Sequence, residues 1–278
     1  MVTRKIGGIF GIAVAIVFIA GPVIAEETKI VEADGQVTLG DDTTIGQAKS
    51  AALNNARRAA LEKATGVVVH GSSVVYNNQL ISDLVMAATK GVIIDEKIID
   101  NKCDAKDGQF ICVAKIQAGV KPLNLERRGK FSVMEVTVQR PDKADAAKSP
   151  VFQSRDEIQV RTAANEDAYM NIFSVDQNGG IARLYPNSFC EFEHITAGKE
   201  FVFPDEAQRK NGLKLKVKTP KGVKKAVESV LVIATKEKVK FLMDDTLENP
   251  TITDLMKQLS ELDPSQWVDK TEGYEVRE

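Results

Sequence analysis

Ala168-Tyr-Met-Asn-Ile-Phe-Ser-Val-Asp-Gln-Asn-Gly-Gly-Ile-Ala-Arg-Leu-Tyr185 is the stretch on which the fold turns. Ala168 to Val175 is aromatic and β-branched, Asn178-Gly179 is a hairpin turn, and Ile181 to Tyr185 returns along the first strand. Working outward, Glu157 to Thr162 alternates, and Phe201 to Phe203, Leu213 to Val217 and Val230 to Thr235 supply further short strands. Strands at such spacing with turns between them predict a β-sandwich. Tyr169, Phe173, Tyr185, Phe189, Phe192, Phe201 and Phe203 concentrate the aromatics in this region, and most of them read as sandwich core. Phe131 to Val138 alternates as well, which assigns Met134, Val136 and Val138 to one side. Then the period changes. Thr251 to Leu262 reads as an amphipathic helix with Ile252, Leu255, Met256, Leu259 and Leu262 on one stripe, set between Pro250 and Pro264. Trp267 beyond it reads as an anchor that pins a tail onto the domain.

The N-terminal part has a different pattern. Lys29 to Leu39 is strand-like, and Asp41 to Thr44 offers N-caps for a helix from about Thr44 to Thr65, with Gly66 placed to end it. Ala48, Ala52, Ala56, Ala59, Ala60 and Ala64 recur at helical spacing, so the helix can approach a sheet closely, while Asn54, Arg57, Arg58 and Lys63 are assigned to the opposite face. Val67 to Val69 and Val74 to Tyr76 have β character, Leu80 to Lys90 reads as a second helix, and Val92 to Ile99 with Phe110 to Val120 form a hairpin. The predicted class is therefore α+β: a small helix-on-sheet domain followed by a mainly β, sandwich-like domain with a C-terminal helix. The boundaries are 1–25, 26–122 and 131–278. Pro122 to Lys130 is a polar connector, and Arg140 to Pro150 an exposed loop.

Residues 1–25 set the compartment. Arg4 and Lys5 precede the apolar run Ile6 to Ala20, then Gly21-Pro22, and Ala25 stands before Glu26-Glu27. This is the layout of a secretory signal cut after Ala25. The alternative is an uncleaved inner-membrane anchor, for which a helix needs about 20 apolar residues; the run before Pro22 is shorter. No cysteine near the cut offers a lipid attachment point. Removing this segment leaves 35 basic against 39 acidic residues, a net of −4, which carries no global nucleic-acid signature.

An exported chain can form disulfides. Asp107-Gly108 is a turn signal whose centre lies midway between Cys103 and Cys112, so the two cysteines face each other across a hairpin and a disulfide is predicted. Cys190 is left over. The sequence contains only two histidines, His70 and His194. Cys190-Glu-Phe-Glu-His194 has the residue types of a metal cluster, but strand alternation splits its ligands between faces. No Walker-type loop, His-Glu-x-x-His or Gly-x-Ser-x-Gly is present, so neither an enzyme nor a cofactor is indicated. Lys214, Lys216 and Lys218 alternate with Leu213, Leu215 and Val217 and face one side of a strand. They, together with Tyr185, Pro186 and Asn187 at a strand end, are the candidate ligand or partner surface.

Two resemblances follow from these segments. Ala33-Asp-Gly-Gln-Val37, the helix Ala56 to Gly66, Val68 to Leu80 and Ser82 to Gly91 resemble the N-terminal domain of flagellar assembly protein T. Over about 131 to 278, Asp156-Glu-Ile-Gln-Val160, Asp167 to Asp176, Gly180, Leu184-Tyr-Pro-Asn187, Ile195-Thr-Ala-Gly198, Val202-Phe-Pro204, Ser229 to Lys236 and Leu259 to Trp267 resemble the bacterial domain of unknown function 4384. The first resemblance implies an envelope setting, without the other domains of the flagellar protein. The second implies an exported, non-catalytic accessory or interaction module. The combined expectation is a periplasmic interaction or assembly module with protein partners in the envelope. A carbohydrate- or anion-binding module using the lysine strand is the alternative. Contact with a membrane would come only through an uncleaved residue 1–25 segment, and nucleic acid is not an expected partner.

Overall fold

The computed structural model describes residues 28–39, 44–66, 91–106, 108–123, 129–141, 150–176, 179–243 and 250–278. The predicted signal at 1–25, the strands at 67–69 and 74–76, the helix at 80–90, His70, Asp107 and Asn178 lie outside the described residues. Strands hold 51% of the described residues and helices 18%, so the molecule is a β-rich fold with a few helices.

The N-terminal layer is a three-stranded antiparallel sheet. Strand β1 (Lys29–Thr38) and strand β2 (Gly91–Lys106) flank β3 (Gln109–Pro122). Helix α1 (Ile45–Thr65) covers one face. Its start is a capping box: the Gln47 backbone N–H donates to Thr44 Oγ1 at 3.2 Å, and the Thr44 N–H donates to Gln47 Oε1 at 2.8 Å. Gly66 ends it at φ 73°, a left-handed conformation that glycine adopts without strain. Ala48, Ala52, Ala56, Ala60 and Ala64 are buried against Ala114, Ile116 and Ala118 of β3. Small side chains bring the helix close to the sheet. A Cβ on Gly35 would land on the Ala52 carbonyl oxygen and the Ala56 amide nitrogen, and 2.8 Å from the Asn55 carbonyl carbon. The predicted polar face needs one correction. Asn54 is buried, not exposed; its Oδ1 accepts from Arg57 Nη1 at 3.2 Å, and Arg57 forks onto Glu96 of β2 at 2.7 and 2.9 Å.

Two further sheets face each other. In the first, β6 (Glu157–Ala164) pairs with β4 (Val133–Gln139) on one side and with β10 (Phe201–Phe203) and β11 (Leu215–Lys216) on the other. The second runs β5 (Val151–Gln153), β13 (Trp267–Arg277), β12 (Lys225–Thr235), β7 (Ala168–Asp176), β8 (Ile181–Tyr185), with β9 (His194–Ile195) also on β7. Val136, Val160, Met170, Ile172, Tyr185, Phe201, Phe203, Val230, Val232 and Tyr274 form the core between them. Short helix α2 (Glu206–Lys210) follows β10, and α3 (Ile252–Leu259) precedes β13.

The other face of the larger sheet is not bare. Phe173, Val175, Leu231 and Ile233 share one continuous core with Ile252, Leu255, Met256 and Leu259 of α3, with Trp267, and with the α1 layer. The apolar interior thus crosses from the N-terminal sheet to the sandwich.

Three expectations are corrected. Met134 is exposed while Val136 and Val138 are buried, because a bulge between Val133 and Glu135 resets the alternation. The helix predicted to reach Leu262 stops at Leu259, where Ser260 takes the role of cap with its N–H on the Met256 carbonyl at 2.9 Å. Beyond Trp267 there is no tail: the chain continues as an 11-residue strand paired with β12 throughout. Trp267 itself is fully buried, as an anchor must be.

Candidate functional site

Strand β8 ends at Tyr185, and a loop runs from there to His194 of β9. Tyr185 is not the exposed edge that its place at a strand end predicts. Its ring is 1% exposed, with the Phe201 and Phe203 rings at 5.0 and 5.1 Å. Its hydroxyl donates to the Glu191 carbonyl at 2.8 Å and accepts from the Glu193 N–H at 2.9 Å. Burial pushes the phenol up to about 12, so it stays protonated and keeps both bonds. Pro186, joined by a cis peptide, is buried too. The physical reason is the loop itself, which folds back and supplies polar partners for a phenol at the core's rim.

Asn187 is half-buried and is the loop's latch. Its Nδ2 donates to the Leu184 carbonyl at 2.7 Å, and its Oδ1 accepts from the N–H groups of Phe189 and Cys190 at 2.8 and 2.9 Å. This side-chain turn is the local chemistry for which asparagine is suited. The residue it presents is Phe189, which is 83% exposed and so stands apart from the core aromatics with which its composition grouped it. The signal that separates it is Asn187 two residues earlier, which turns the chain outward.

A cleft of about 360 Å³ lies on one side of the loop, between Phe189, Cys190 and the end of α2 at Asn211, Gly212 and Leu213. A second, of about 330 Å³, lies on the other side, where Arg183, Lys238 and Lys240 meet Phe192 and Glu191. Lys238 Nζ stands 5.7 Å from the Phe192 ring centre. The Arg183 guanidinium donates to the Phe241 carbonyl at 3.0 Å and also contacts the Met243 sulfur, which fixes it in the wall. Cys190 borders both clefts. Burial, with Asp205 and Glu193 adding to it, raises its thiol pKa, the wrong direction for a nucleophile at neutral pH.

The other predicted residues fall elsewhere. Lys214, Lys216 and Lys218 are all exposed and alternate with Leu215 and the buried Val217. Only Leu215 and Lys216 pair as strand. Lys214 and Arg209 both bind Glu157, at 3.3 and 2.8 Å, and these contacts, Arg209 first, hold that carboxyl below its usual range. The stripe lies on the edge strand of the smaller sheet, apart from the Tyr185 loop. Cys103 and Cys112 are direct cross-strand partners with Cα atoms 3.9 Å apart, and their sulfurs lie at disulfide distance. His194 is half exposed, 3.9 Å from Asp167 and edge-on to Tyr169 at 5.4 Å. Among the described residues no group of three His, Cys, Asp or Glu side chains is arranged to hold a metal ion. No helix of the described residues is long and apolar enough to cross a membrane.

Residues 151–238 match the family model described as a domain of unknown function, DUF4384. The match spans β5 to β12 and the whole Tyr185 loop, and it stops short of α3 and β13, although β13 is part of the same sheet. No curated protein matches the chain.

Proposed function

We propose that this chain is an exported, non-catalytic interaction or assembly module of the bacterial cell envelope. The observation that carries the reading is the placement of Cys103 and Cys112 at disulfide distance across the β2–β3 hairpin. Such a bond persists in an oxidising compartment and is rare in the cytosol. It agrees with the basic, apolar and small-residue order of residues 1–25. In this reading 26–122 is an α+β unit of the flagellar assembly protein T type, 131–278 is a sandwich-like unit with its C-terminal helix, and the partners are envelope proteins. Export is tested by making the full chain in a Gram-negative host and fractionating the cells. The expected product is periplasmic, begins at Glu26, and has Cys103 and Cys112 protected from alkylation before reduction. A full-length product in the inner membrane would favour the anchor, and a cytoplasmic product with both thiols free would overturn the reading.

Lys216 and Lys218 favour a second reading. Both are exposed, and neither has an ion-pair partner among the described residues, unlike Lys214. An anionic glycan or lipid headgroup could be held by this edge. Salt-sensitive binding to lipopolysaccharide or cell-wall fractions, lost on Lys216→Glu/Lys218→Glu, is the expected result; unchanged binding sinks it.

A further inference from the structure

The geometry points to the Asn187–Cys190 loop as the docking site for an extended, acidic protein segment that carries an apolar side chain. This rests on the interaction-module reading and gives its partner a chemistry. A single exposed apolar residue is ordinary on a protein surface. Phe189 differs in how it is held and in what flanks it.

It is held rigidly. Asn187 bonds the backbone at Leu184, Phe189 and Cys190, and the Tyr185 hydroxyl bonds it at Glu191 and Glu193. The Asn187 and Cys190 backbones add reciprocal bonds at 3.0 and 3.3 Å. A loop fixed at so many points loses little freedom when a partner settles on it, and that is the main saving available to a binding surface. Aromatic side chains on such supports are the usual anchors of interfaces.

It is flanked asymmetrically. On the α2 side the cleft runs along Phe189, Gly212 and Leu213, with no charged side chain in its lining. On the other side Arg183, Lys238 and Lys240 outnumber Glu191, the one acid of that lining among the described residues. Among the described residues neither Lys238 nor Lys240 has an ion-pair partner, and Arg183 is tied to backbone oxygen and to no carboxylate. An incoming segment therefore meets an uncharged surface on one side of Cys190, where Phe189 and Leu213 stand with Gln208 and Asn211, and net positive charge among the described residues on the other. Carboxylates next to an apolar residue complement that layout. A basic or wholly polar segment does not.

The test uses the chain as purified from its own host and three fluorescein-labelled peptides. The first is Glu-Leu-Glu-Phe-Glu-Leu-Glu, the second has Lys for Glu, and the third has Ser for Leu and Phe. The first peptide is expected to bind, read by fluorescence anisotropy, and to weaken with added salt. Phe189→Ala and Lys238→Glu/Lys240→Glu are each expected to weaken it about tenfold. Both changes lie on the surface, and an unchanged melting temperature shows that the variants fold. Should either variant melt early, Phe189→Ser and Lys240→Ser replace them, with the same weakening expected. Equal binding of the lysine peptide, equal binding of the serine peptide, unchanged binding by Phe189→Ala, or no binding of the first peptide each overturns the inference. A periplasmic protein that binds none of them overturns this inference alone. A cytoplasmic protein overturns the reading beneath it, whatever the peptides do.

Discussion

The α1 layer and the sandwich are packed by opposite means. Under α1 the contact is made of Ala48, Ala52, Ala56 and Ala60 over Gly35, so backbones nearly touch. Between the two larger sheets the space is filled by Phe152, Tyr185, Phe201, Phe203 and Tyr274. The first arrangement has no room for an added atom. The second has no tolerance for a removed one. Both follow from close packing, in which voids and overlaps each cost energy.

That contrast can be broken in either region. Phe203→Ala should have the largest effect, about 3–5 kcal/mol of stability lost in a urea melt, because it opens a cavity beside Tyr185. A loss under about 1 kcal/mol would mean that the sandwich core collapses around the gap and is not rigidly packed. Gly35→Ala should cost about 3 kcal/mol, although it adds one methyl, because the three atoms nearest that methyl are all backbone and cannot swing aside. The same exchange at Gly108, which has no atom within 4 Å of its would-be Cβ, carries only the strain of φ 79° and should cost less. If the two costs are equal, close approach is not what makes the α1 layer intolerant. Reducing the Cys103–Cys112 pair opens no cavity and adds no heavy atom. It frees a short loop in the unfolded chain and should cost about 2–3 kcal/mol. A thermal transition that does not move on reduction would show the hairpin to be uncoupled from the α1 core.

The smallest effect sharpens the comparison inside the sandwich. Glu228 is half-buried, and Tyr274 donates its hydroxyl to Glu228 Oε2 at 2.6 Å. Burial raises the Glu228 pKa, and nearby Asp176 adds to that, against the lowering effect of the Tyr274 bond. The native state therefore holds a proton more firmly than the unfolded one. Stability from this group is complete below the unfolded pKa and is lost as pH rises through the folded pKa. Glu228→Gln keeps an acceptor for Tyr274 without the charge. It should raise the melting temperature at pH 7 relative to the parent, by the equivalent of about 1 kcal/mol, and change little at pH 4. Equal shifts at both pH values would remove the carboxylate as the cause.

Local chemistry is legible in the chain. Thr44, Gly66 and the alanine spacing define α1 to within a residue, and the midpoint between Cys103 and Cys112 fixes the hairpin register. What depends on distant residues is not. The bulge at Val133–Glu135 is set by pairing with Ala163 and Ala164, so simple alternation puts Met134 on the wrong side. The strand from Trp267 to Arg277 alternates only near Tyr274 and Val276, and its identity comes from β12. Asn54 reads as a surface residue until Arg57 and Glu96 are seen together. At the candidate site, Tyr185-Pro186-Asn187 marks the right loop, but the residue it exposes is Phe189, and no periodicity in so short a turn can reveal that.

The position of β13 has a consequence for how the molecule assembles. Val151 of β5 pairs with Glu275, and β12 pairs with β13 across the whole of α3. The β7–β8 hairpin can form from neighbouring residues alone, whereas the sheet it belongs to waits for the distant strand. Folding limited by such remote closures falls in the millisecond-to-second range, far slower than a local hairpin. Until β13 pairs, the β12 edge from Lys225 to Thr235 has unpaired backbone groups, so the step most open to misassociation is the arrival of that strand.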